Sequence, residues 1–175
     1  MRFNAIGLGL CLALSALPAL AVDSLTVSLG ALDHPRGEGS VNDGRISAGW
    51  VINQYESDSG LYQTRMEVGV GYSNTQADKV WSVTVAPVAH YRFKTSRPDS
   101  GPFVEASLGG AYLSKTRFAD DHDLTSHGHF ASRLGVGYAF GASEVSLNAM
   151  HFSNAGIKKP NPGVNVIALR FTRLL

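Results

Sequence analysis

The sequence has a single cysteine, Cys11, so it offers no disulfide framework and no paired thiolates for a metal. Cys11 also follows Leu10, where a lipoprotein cysteine needs a small residue. Charge is scarce: 17% of residues, against about 25% in ordinary soluble domains. It is also balanced, with 15 Lys and Arg against 14 Asp and Glu, so no basic field points to nucleic acid. Long apolar runs are nearly missing. Only residues 5–21 form one, which excludes a chain of several membrane helices. There is no sustained helical stripe, no G-x-S-x-G elbow and no P-loop. What the chain does have is 44% apolar residues and 19 glycines in 175 positions, enough for one domain and too apolar to stay disordered.

The first residues read as an address. Arg2 gives a positive start, residues 5–21 are apolar, and Ala19-Leu20-Ala21 is a small-x-small cleavage signal. Residues 1–21 are therefore expected to be a signal peptide and residues 22–175 an exported domain without cysteine.

The exported part alternates with a period of two, the signature of strands with one apolar and one polar face. In residues 62–72, Tyr62, Thr64, Met66, Val68, Val70 and Tyr72 share a face, opposite Gln63, Arg65, Glu67, Gly69 and Gly71. Residues 24–32, 45–55, 81–93, 103–112, 129–140, 144–153 and 164–175 follow suit, which predicts eight strands. Pro87 falls inside one of them and is expected at a bulge. A soluble sandwich or lipocalin-like barrel would turn the apolar faces inward. Aromatic residues at both ends of those faces, glycines on the polar faces and bilayer-matched strand lengths favour the opposite arrangement. The expected fold is all-β: an eight-stranded antiparallel transmembrane β-barrel, with lipid outside and polar residues inside. Arg65, Glu67, Arg92, Glu105, Arg133, Glu144 and Arg170 are then expected to pair in the lumen. The links 33–44, 73–79, 115–127 and 154–163 are read as the longer loops and 56–60, 94–101 and 141–143 as the shorter turns, which is expected to place the ends near Tyr72, Trp81, Tyr112 and Ser153 outside the cell.

Two residues break the pattern. On the strand 144–153, Val145, Leu147 and Ala149 define the lipid face, and the same phase turns His151 and Ser153 outward at its outer rim. Rim residues can be polar merely because they meet headgroups. A Ser and a His two apart on one face also suit a base taking a proton from a hydroxyl, on a substrate embedded in the outer leaflet. The segment His151-Phe152-Ser153-Asn154-Ala155-Gly156-Ile157-Lys158-Lys159-Pro160-Asn161-Pro162-Gly163 resembles the H-x-S-N-A motif and N-P-G loop of the PagL family of lipid A 3-O-deacylases. That resemblance implies hydrolysis of the ester-linked 3-position acyl chain of lipid A in the cell outer membrane, without a cofactor. It implies His151 as general base, Ser153 as nucleophile, and Asn154 with Gly156 at the oxyanion hole. It also allows a homodimer.

The family's third triad member is acidic, and the matching position here is Asn165. Either Asn165 orients His151, or another carboxylate serves, or activity is weak; the reading adopted is that Asn165 orients the ring. Lys158 and Lys159 are candidates for contacting lipid A phosphates, or belong to a solvated loop. Asp120, Asp121, His122, Asp123, His127 and His129 form a polar cluster in the third long loop, read as solvated because its spacing matches no tight metal-ligand set. The rival functions are a non-enzymatic structural or adhesive barrel, and a phospholipase or acyltransferase barrel.

Overall fold

The computed structural model describes residues 21–34 and 41–175. The expected signal peptide, Ala21 apart, lies outside the described residues. Eight long strands close into a barrel: β1 (Ser24–His34), β2 (Asp43–Glu56), β3 (Gly60–Asn74), β4 (Lys79–Phe93), β5 (Ser100–Leu113), β8 (Gly128–Phe140), β9 (Ser143–Ser153) and β10 (Val164–Leu174). Neighbours pair antiparallel all the way round, and β1 against β10 closes the ring. A small hairpin, β6 (Arg117–Ala119) and β7 (His122–Asp123), sits in the link between β5 and β8.

Alternation sets the two faces as expected. On β10, Val164, Val166, Ala168, Arg170 and Thr172 are buried inside, while Ile167, Leu169 and Phe171 are exposed outside. Around the ring the outer face presents Val27, Leu29, Ile46, Val70, Val83, Leu108, Leu134 and Leu147, a continuous apolar coat. Outward aromatics gather at its two ends: Trp81, Tyr112 and Phe130 at one, Tyr62, Phe93, Tyr138 and Phe140 at the other.

The lumen has two zones. Toward the short turns it is ionic: Glu144 receives a two-pronged bond from Arg65 (2.9 Å each), and Glu67 bridges Arg133 and Arg170 (both 2.8 Å). Glu105 lies 3.8 Å from Arg133 and 4.0 Å from Arg170. Buried charges survive because each faces an opposite one. Lumen glycines make the room: a Cβ on Gly137 would stand 2.5 Å from the Phe103 ring. Toward the long loops the lumen is apolar. Leu32, Val80, Leu113, Phe152, Val164 and Val166 form one cluster, capped by Phe118 and Leu124 of the β6–β7 segment. The Arg45 guanidinium, held by Asp43, lies 4.9 Å over the Phe152 ring.

Two expectations need correction. Pro87 sits at no bulge: the β3–β4 register runs unbroken through Met66↔Pro87. Instead the β4–β5 ladder is interrupted between Val85↔Gly110 and Val88↔Ser107, where the proline lacks an N–H to donate. Link lengths do not alternate cleanly either, because 94–99 at the short-turn end outlasts 75–78 at the long-loop end.

Candidate active site

β9 carries the site because its phase is locked from inside. Phe152 is 2% exposed and packs in the apolar cluster, so its neighbours His151 and Ser153 must point outward. A slip of one residue would bury both and expel Phe152. Ala149, Leu147 and Val145 continue the same outer face toward the short turns.

His151 and Asn165 are direct register partners on β9 and β10. The imidazole Nδ1–H donates to Asn165 Oδ1 at 2.7 Å, which leaves Nε2 with its lone pair as the base. Ser153 is half-buried, two residues along the strand at about 6.5–7 Å between Cα atoms, and its Oγ has no hydrogen-bond partner among the described residues. Catalytic hydrogen bonds often tighten only around bound substrate. Gly163 closes the far side of the ring. Its φ is +75°, and a Cβ there would stand 2.6 Å from His151 Cε1 and 3.2 Å from Nε2.

The loop 154–163 is organised by Asn154, which is 4% exposed. Its Nδ2 donates to the Lys158 carbonyl (3.0 Å), to Ser126 Oγ (3.0 Å) and to the Leu124 carbonyl (3.3 Å). Its Oδ1 accepts the Gly156 N–H at 3.0 Å. Ala155 (φ 53°) and Gly156 (φ 77°) occupy the middle of a turn closed by the Ile157 N–H on the Asn154 carbonyl, the pattern of a type I′ turn. The two expected oxyanion residues are thus beside Ser153, but the Asn154 carboxamide is spent on holding the loop. The Ala155 N–H, which sequence reasoning did not single out, has no partner among the described residues.

The third long loop is joined to this one. His122 Nε2–H donates to the Gly163 carbonyl at 2.6 Å, and Thr125 Oγ1 donates to the Pro160 carbonyl at 2.9 Å. The remaining histidines of the polar cluster also serve backbone carbonyls: His127 that of Leu113, and His129 that of Ser126. Asp123 accepts the Thr125 N–H at 2.7 Å, and this bond holds its carboxyl below the ordinary carboxylate range. The cluster disperses into loop-building contacts, and no group of three metal-ligating side chains forms among the described residues.

Two residues beside the site were missed. Ser132 is the register partner of His151 on β8 and the polar exception on a face that otherwise reads Phe130, Leu134, Val136. Its place in the alternation was the available signal. Asp33 borders the depression that holds His151 and Asn165, of about 320 Å³, and nothing in the sequence gave it away. That depression shares Leu134, Ala149 and Ile167 with an apolar groove of about 570 Å³ running along the outer wall past Ala106 and Val136. On the other flank, Lys158 and Ile157 overhang a second hollow beside Phe130, while Lys159 is exposed on the loop.

Residues 43–173 match the family described as Lipid A 3-O-deacylase (PagL). The chain belongs to the PagL family. Lipid A deacylase PagL of Pseudomonas aeruginosa is 32% identical over 127 residues, 71% of this chain and 72% of that protein. The Bordetella bronchiseptica enzyme of the same name is 30% identical over 125 residues, 69% and 67% of the two chains. The crystal structure of the outer membrane enzyme PagL superposes with a TM-score of 0.77 at 27% identity, covering 87% of this chain and 99% of that one. Within the PagL match lie His151, Ser153, Asn154 and Asn165, so the whole outward-facing site falls in the shared region.

Proposed function

We infer that this PagL-family barrel is a lipid A 3-O-deacylase of the outer membrane, with its active site facing the outer leaflet. The observation that carries this reading is the placing of Ser153, His151 and Asn165, with Ser132 and Asp33 beside them, as a polar island on an apolar outer face. A water-soluble ester would not find a site there. A lipid finds little else.

In the proposed chemistry Ser153 Oγ attacks the ester carbonyl and His151 Nε2 takes its proton, with Asn165 holding the ring in the required tautomer. Negative charge then develops on the ester oxygen. The Ala155 N–H, and the Gly156 N–H now shared with Asn154, are the donors at hand to meet it, with Asn154 keeping the turn in shape. The sugar oxygen leaves with the proton from His151, and water at the rim hydrolyses the acyl-enzyme. The apolar groove below His151 takes the departing acyl chain, and Lys158 and Lys159 stand where lipid A phosphates would lie. Residues 1–21 act as the export signal.

The test is the lipid A mass profile of membranes incubated with wild type or Ser153→Ala. Loss of one 3-linked acyl chain with wild type alone supports the reading. Phospholipid loss instead indicates a phospholipase, a gain in lipid A mass an acyltransferase, and no change a structural barrel.

A further inference from the structure

Given the deacylase reading above, one gap remains in the chemistry. The imidazolium formed when His151 takes the Ser153 proton is backed by an amide. An amide fixes the ring and its tautomer but brings no charge to offset the cation.

A carboxylate lies on the same face. His34, Asn165, His151 and Ser132 are successive register partners on β1, β10, β9 and β8, forming one row across four strands. On β1 the register passes from Leu32↔Val166 to His34↔Asn165, so Asp33 is an extra residue bulged beside Asn165. Leu32 is turned into the lumen at 3% exposure, whereas Asp33 is exposed. The depression containing His151 and Asn165 extends to Asp33. Asp33 has no ion-pair partner among the described residues. Arg133 also borders the depression, but its guanidinium is held in the lumen by Glu67.

We propose that Asp33 is a positioning residue that supplies the His151–Asn165 pair with the negative charge the amide lacks. The bulge places its carboxylate beyond Asn165, one strand further from His151 than a triad acid would be. No proton reaches Asp33: the proton stays on His151 between attack and departure of the alcohol, and the carboxylate acts through space. Leu134, Ala149 and Ile167 line the same depression. The other titratable or charged groups around His151 among the described residues are His122, which reaches the Gly163 carbonyl, and Lys158 and Lys159 on the loop.

The experiment compares lipid A deacylation across pH by wild type, Asp33→Asn, Asp33→Glu, Asn165→Asp and the Asp33→Asn/Asn165→Asp double variant, each checked as a folded barrel by heat-modifiable migration. Asp33→Asn is expected to lower kcat about tenfold at unchanged KM. It is also expected to move the acid limb of the pH profile to lower pH, because an imidazolium that has lost its carboxylate releases its proton more readily. Asp33→Glu should restore both. With a carboxylate rebuilt by Asn165→Asp, removing Asp33 should cost little. An Asp33→Asn enzyme with the wild-type rate and pH limb overturns the proposal. So does an equal loss in both backgrounds, which would mark a purely structural role. A folded wild type that deacylates nothing overturns the deacylase reading itself.

Discussion

At the residue scale, Gly163 limits where the His151 ring can lie. Its backbone abuts the His151 ring, and its φ of +75° lies in the left-handed region that side chains disfavour. Gly163→Ala should push the imidazole off Asn165 Oδ1. A displacement of about 1 Å at a base costs on the order of 100-fold in rate. Deacylation kinetics on a variant confirmed as folded check this, with kcat expected to fall more than KM rises. The outward placing of His151 and Ser153 was legible from alternation alone, because Val145, Leu147 and Ala149 set a phase that both had to share, whereas Asn165 was reached only through the family resemblance. Ser132 was equally legible by the same rule. Asp33 was not, because a bulge adds a residue without leaving a mark on the local pattern. The engagement of the Asn154 carboxamide was also hidden, since its partners Leu124 and Ser126 come from a distant loop.

At the element scale, the loop 154–163 is held by the loop between β5 and β8. The β6–β7 hairpin buries Phe118 and Leu124 in the barrel mouth, and from that base His122, Thr125 and Ser126 reach the segment 154–163. Strands of three and two residues are too short for a period of two to show in the sequence, so the whole device read as a solvated loop. Asn154→Ala would leave the buried Leu124 carbonyl without this donor, at about 1–3 kcal/mol for a group left unsatisfied, and would free the Lys158 carbonyl on the exposed loop. The cost should appear locally. Limited proteolysis is expected to cut within 154–163 in this variant while the barrel stays intact, and deacylation should fall with it. His122→Ala should loosen the Gly163 end of the same loop, again without unfolding the strands.

At the scale of the whole molecule, the polar and apolar halves of the lumen do different work. The apolar end anchors Phe152 and the hairpin, and so holds the site. The ionic end ties β3, β8 and β10 across the interior through Glu67, Arg133 and Arg170. Glu67→Gln would leave two buried guanidiniums facing Glu105 alone, which is the unbalanced case in which breaking a buried network costs about 3–5 kcal/mol. Urea unfolding of the barrel in lipid vesicles should register that loss. Low charge, abundant glycine and high apolar content thus have one cause: lipid is the solvent outside, and a narrow polar interior must be filled with small residues and paired ions.

In the proposed chemistry Ser153, two residues after His151 on β9, is the nucleophile of a lipid-facing esterase. Ser132, directly opposite His151 on the neighbouring strand, is its natural rival. The deciding measurement is the rate of 3-linked acyl release from lipopolysaccharide by Ser153→Ala and Ser132→Ala, side by side with wild type. Abolished release in Ser153→Ala with most of the rate retained in Ser132→Ala is the predicted result. Retained release in Ser153→Ala would contradict it.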